Sequence, residues 1–116
     1  MAATKNPIVR LRHIQDEING IVAALATSDR DTFRKSYVLL RAAERALLII
    51  SEAAKSLPED LLKTYPEVDW IAVRALGNVL RHEYHAVDPD TLWEILHGKL
   101  PELGRVVTRM IGESPG

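Results

Sequence analysis

The chain has 116 residues, 47% of them hydrophobic and 27% charged, with a formal net charge of −1. That is one domain's worth of chain with enough apolar residues for a sizeable core, which excludes wholesale disorder. The absence of cysteine excludes disulfides and thiolate metal sites, and the charge balance excludes a broad nucleic-acid-coating surface, leaving only a local contact or one shared with a second subunit.

Ile8, Leu11, Ile14, Ile18, Ile21, Val22 and Leu25 recur at spacings of three and four. They predict an amphipathic helix entered at Pro7 and ending near Thr27. The Ser28–Thr32 cluster reads as a turn with a choice of N-caps. A longer helix is expected from about Asp31 to Ser56, with Phe33, Leu40, Leu47, Ile50 and Ala54 on one seam, widened by Leu39, Ala43, Ala46 and Ile49. A helix apolar over so much of its circumference is central, or covered on two sides by a partner chain. Pro58–Tyr65 predicts a short helix with proline at its first position, stopped by Pro66. Asp69 is placed to cap the next helix, Trp70 to about His85, and Asp88 to cap the last, with Pro89 at its first position. That last helix carries Leu92, Ile95, Leu96, Leu100, Leu103, Val106, Val107 and Met110; Pro101 should kink it, and Gly98 and Gly104 soften it. Residues 112–116 should fray. The expectation is all-α: a single domain over 1–116, an antiparallel up-and-down bundle of four main helices plus one short helix. No apolar run approaches the ~20 residues of a membrane span, and residues 1–7 lack a signal-peptide apolar region. A soluble cytoplasmic protein that does not engage a membrane is therefore expected.

The segment Arg74-Ala-Leu-Gly-Asn-Val-Leu-Arg-His-Glu-Tyr-His85 carries the chemistry. On a wheel with Arg74 at 0°, Asn78 falls near 40°, Arg81 near −20°, His82 near 80° and His85 near 20°. Ala72, Ala75, Leu76, Val79 and Leu80 take the opposite arc, from roughly 100° to 240°. One face can then pack into a core while the other presents a cationic, titratable stripe. Histidine takes or gives a proton near neutral pH, and arginine holds phosphate oxygens with paired N–H donors. The residues read as a phosphate site with a titratable group. An ordinary solvated face is the competing reading, although such faces are usually rich in Lys and Glu. His82, His85 and Asp88 have an approximate metal-ligand spacing, but no further ligand is evident, so neither a metal nor a cofactor is expected. Trp70 and Trp93 read as core or interface anchors rather than base-stacking platforms. Glu52 either faces a cleft or pairs with Lys55 or Arg45. His13 and His97 carry no signal beyond a helix surface or partial burial.

The strings Ser51-Glu-Ala-Ala-Lys55, Tyr65-Pro-Glu67, Trp70, Gly77-Asn78, Arg81-His-Glu-Tyr84, Val87-Asp88 and Leu92-Trp93 resemble, in content and spacing, the HEPN superfamily and within it the HepT-like RNase toxins. The resemblance implies a helical bundle that forms a homodimer or a higher oligomer, with a metal-independent RNase site at the dimer cleft and RNA as substrate. It also implies a toxin–antitoxin pair whose antitoxin is a minimal nucleotidyltransferase that adenylylates the tyrosine two residues after the motif histidine. Carried over, His82 is the catalytic histidine, Asn78 the polar residue one turn before it and Tyr84 the acceptor tyrosine. The family's arginine usually stands at the place of Gly77. Arg74, a turn before Asn78, and Arg81, beside His82, are the two guanidiniums able to replace it, since residues four apart are neighbours on a helix. The glycine favours the alternative, a non-catalytic subunit that binds a nucleotide or its nucleotidyltransferase partner.

Overall fold

A computed structural model describes residues 6–83 and 87–114. Tyr84 and His85 lie outside these residues. The described chain is helical throughout: α1 (Pro7–Leu25), α2 (Arg30–Lys35), α3 (Tyr37–Lys55), α4 (Glu59–Lys63), α5 (Trp70–His82), α6 (Pro89–Glu94) and, after a π-helical turn at Ile95–Lys99, α7 (Leu100–Glu113). Among the described residues no helix is long and apolar enough to cross a membrane.

The starts predicted at Pro7, Trp70 and Pro89 hold because side chains satisfy the otherwise orphaned first N–H groups, whereas Pro58 precedes the first position of α4 and that helix has no side-chain cap. Asn6 accepts from Ile8 N at 2.9 Å, Asp29 from Thr32 N at 2.8 Å, Asp69 from Ala72 N at 3.1 Å and Asp88 from Thr91 N at 2.7 Å. The predicted second helix is interrupted, however. Ser36 leaves helical geometry (φ −97°, ψ 109°) and its side chain accepts from Leu39 N, so it ends α2 and restarts the chain as α3. Propensity alone hides this break, because serine is tolerated inside helices and turns them only when its hydroxyl finds a backbone donor. The interruption lets Phe33 be fully buried and lets Arg30 and Arg34 reach Asp90 on α6, at 3.1 and 2.9 Å.

The last predicted helix also divides. Pro101 has no N–H to donate, and its ring crowds the preceding turn. The backbone widens just before it: Leu100 N bonds to Ile95 O, five residues back, and α7 starts with Pro101 in its first turn. A π turn absorbs the proline without breaking the apolar stripe, and Leu92, Leu96, Leu100, Leu103, Val107 and Met110 are all buried.

The core runs between Leu11, Ile14, Ile18, Ile21 and Leu25 of α1, Leu47, Ile50 and Ala54 of α3, and the apolar stripe of α7. Trp70 is buried, its indole N–H donating to Tyr65 O at 3.0 Å. Trp93 is half-buried between Phe33, at 5.5 Å, and the stacked His97 ring, at 3.8 Å. Helix α3 is central, with α1 and α5 both packed along it.

Candidate functional site

Helix α5 is seated on α3 through a glycine. The N–H of Gly77 donates to Ser51 Oγ at 2.9 Å, and that hydroxyl donates to Arg74 O at 2.9 Å. Ser51 is the one buried polar residue among those described. A Cβ on Gly77 would lie 2.8 Å from Ser51 Oγ and 3.2 Å from Ser51 Cβ. Position 77 therefore cannot hold an arginine while the helices are this close.

This close approach rotates α5 away from the expected orientation. The contact line passes through Trp70 and Gly77, both buried, between the cationic stripe and the centre of the apolar arc. Ala72 and Ala75 of the apolar arc are consequently exposed, and Leu76, Val79 and Leu80 are only half-buried, while Ile71, which lies on the polar side of the wheel, is 82% exposed. The expectation that this arc faces the core is corrected to that extent. Helical spacing makes Ile71, Ala75, Asn78 and His82 one continuous stripe, and all four are exposed.

The two arginines part company. Arg74 turns toward the C-terminus of α3: its Nε donates to Ala54 O at 3.3 Å, its Nη2 to Leu57 O at 3.1 Å and its Nη1 to Glu59 at 2.6 Å. It fills the place of the donors that a helix end lacks, and it holds the Glu59 carboxyl below the usual range. Arg81 turns the other way. Its Nη2 donates to Asn78 Oδ1 at 2.7 Å, and its Nη1 is paired with Glu52. The hydrogen bond from Arg81 and, less strongly, the Lys55 ammonium 3.6 Å away keep the Glu52 carboxyl below its ordinary range. Glu52 thus faces the site and pairs with Lys55 as well, but not with Arg45. Asn78, Arg81 and Glu52 form one hydrogen-bonded group beside the exposed His82, and Arg74 stands apart from it.

Residues that sequence reasoning passed over lie close by. A groove of about 360 Å³ runs above α3 between α1 and α5. Leu48, Ile49 and Ala53 floor it, Arg10 and His13 line it from α1, Arg45 from α3, and Arg81 with Glu52 closes it on the α5 side. No periodicity within one helix could reveal this grouping, because three helices contribute. The excess of arginine over lysine on the polar faces of α1 and α3 was the available signal.

The model of the family described as "Ribonuclease HepT-like" matches residues 14–110. A protein of Caldanaerobacter subterraneus subsp. tengcongensis, named as a candidate RNase, is 32% identical over 107 residues, 92% of this chain and 96% of the relative. A Methanocaldococcus jannaschii protein of the same description is 33% identical over 86 residues, 74% of this chain and 71% of its own. A Thermococcus cleftensis protein, named a probable ribonuclease HepT, is 37% identical over 59 residues, 51% of this chain and 54% of its own. No solved structure matches.

Proposed function

The chain belongs to the HepT-like ribonuclease family, and on that premise we propose that it is the toxin of a toxin–antitoxin pair, an endoribonuclease that cuts RNA without a metal at a cleft between two copies. The observation that carries this reading is the exposed stripe Ile71–Ala75–Asn78–His82 on α5. A two-fold axis passing near His82 would bring its two copies together while Ile71 and Ala75 pack on the partner, because an isologous interface uses the same stripe on both subunits. Burying an isoleucine that is 82% exposed supplies a drive for that pairing.

The chemistry needs no more than these side chains. The 2′-oxygen of RNA attacks the adjacent phosphorus as its proton passes to one imidazole, and the 5′-oxygen leaves as it takes a proton from the other. The products are a 2′,3′-cyclic phosphate and a free 5′-hydroxyl. Two copies of His82 provide base and acid. Arg81 stabilises the charge on the phosphorane, with Asn78 orienting it through their 2.7 Å bond. Arg74 contributes by holding α5 to the end of α3. An antitoxin nucleotidyltransferase would silence the site by adenylylating Tyr84, two residues beyond His82, where the added bulk and negative charge oppose an RNA phosphate.

His82→Ala should abolish cleavage of RNA by the purified protein while its far-ultraviolet circular dichroism stays unchanged. Undiminished cleavage by that variant would end this reading. The rival is a non-catalytic module that docks its nucleotidyltransferase or a nucleotide. In its favour, Arg81 already gives both terminal nitrogens to Asn78 and Glu52. Incubation with RNA, with and without the partner and ATP, separates the two: the toxin cleaves until Tyr84 is modified, whereas the module binds its partner tightly and cleaves nothing.

A further inference from the structure

We propose that the groove between α1 and α5 is a subsite for single-stranded RNA, in which Arg10 and Arg45 grip a backbone phosphate next to the one held at Arg81. The proposal rests on the reading of α5 as the cleaving face and extends it across the top of α3.

Charge is the first argument. The chain as a whole carries −1, yet this groove gathers three arginines, Arg10, Arg45 and Arg81, against one carboxylate, Glu52. Most other arginines are neutralised where they stand: Arg30, Arg34, Arg41, Arg74 and Arg109 are all in ion pairs. Among the described residues neither Arg10 nor Arg45 forms one. The Nε of Arg10 is moreover the only buried side-chain nitrogen or oxygen left without a hydrogen-bond partner among the described residues. A buried, unpaired donor on a charged group costs stability unless something completes it, and a guanidinium is completed best by a planar or tetrahedral oxyanion.

Shape is the second. The floor of Leu48, Ile49 and Ala53 is apolar and lies between cationic walls. Unstacked bases can rest on such a floor while the sugar–phosphate strand runs along the arginines, and His13 adds a further donor on the α1 side. Duplex RNA presents no free base face to such a floor. The groove ends on the α5 side at Arg81, the guanidinium that the proposed mechanism sets on the reacting phosphate, so a strand lying in it would run toward that linkage.

The test uses the full chain carrying His82→Ala, so that RNA stays intact, and an end-labelled single-stranded RNA read by fluorescence anisotropy across a salt series. Adding Arg10→Gln and Arg45→Gln should weaken binding about tenfold at moderate salt. It should also lower the slope of log affinity against log salt by about 0.7, as expected when the contact to one phosphate of a single strand is lost. Arg10→Lys with Arg45→Lys should restore the slope, because the charges return. Arg105→Gln, exposed on α7 and outside the groove, should change neither quantity. Undiminished binding and slope in the double glutamine variant overturn the subsite, even if the unsubstituted chain cleaves RNA. Binding that depends on Arg10 and Arg45 in a chain that does not cleave RNA supports the subsite and removes the catalytic reading instead. If the double variant keeps RNA but loses self-association, or loses the nucleotidyltransferase partner, the groove is a protein interface and the proposal falls.

Discussion

Gly77→Ala isolates the contact that sets the whole site. The new methyl would sit 2.8 Å from Ser51 Oγ and 3.2 Å from Ser51 Cβ, so α5 must lift from α3 or Ser51 must turn. Overpacking of this kind costs about 1–3 kcal/mol. Disturbing the hydroxyl that bonds both Gly77 N and Arg74 O costs about 1 kcal/mol more. The better helix propensity of alanine returns about 1 kcal/mol. The net is a loss of about 2 kcal/mol, which for 116 residues corresponds to a Tm lower by about 8 °C, read by circular dichroism. Gly20→Ala supplies the contrast: nothing lies within 4 Å of a Cβ there, so the same change in the middle of α1 should raise Tm by a few degrees. Adding Ser51→Ala to Gly77→Ala removes the nearest atom and should recover part of the loss. A Gly77→Ala protein as stable as the parent would refute the claim that packing excludes a side chain at this position.

Arg74→Ala and Arg81→Ala should divide stability from activity. The first removes three bonds at the end of α3 and should cost about 2 kcal/mol, measured by urea unfolding. The second should leave the unfolding midpoint nearly unchanged while cleavage of RNA falls at least a hundredfold. Ser36→Ala removes the acceptor of Leu39 N and should cost about 1 kcal/mol, again by urea unfolding. Acid should loosen the contact between α2 and α6. The hydrogen bonds from Arg34 and then Arg30 hold the Asp90 carboxyl below its ordinary range, so the native state takes up its proton less readily than the unfolded chain. That contribution is complete above the ordinary carboxylate range and disappears as pH falls through the depressed value. Asp90→Asn should therefore flatten the acid limb of Tm against pH, and an unaltered limb would show that the pair adds nothing.

Local chemistry made much of this molecule legible in advance. The 3.6-residue spacing marked Leu11, Ile14, Ile18 and Ile21 as core. Asp69 and Asp88 announced their caps because a short acceptor before an apolar run meets N–H groups only two or three residues away. What the chain could not disclose by itself was every feature that depends on how closely two helices approach. Ser51 and Gly77 are 26 positions apart, and only their contact turns α5 so that Ala72 and Ala75 face water, Arg74 closes the end of α3 and Arg81 meets Glu52. Arg10, His13 and Arg45 look like ordinary surface residues when read along the chain, and become one wall-lined groove only when α1 and α5 settle on either side of α3. Periodicity records which side of a helix is apolar, but the rotation of one helix against another is decided by side-chain volume at the crossing, a property of pairs that no single segment contains.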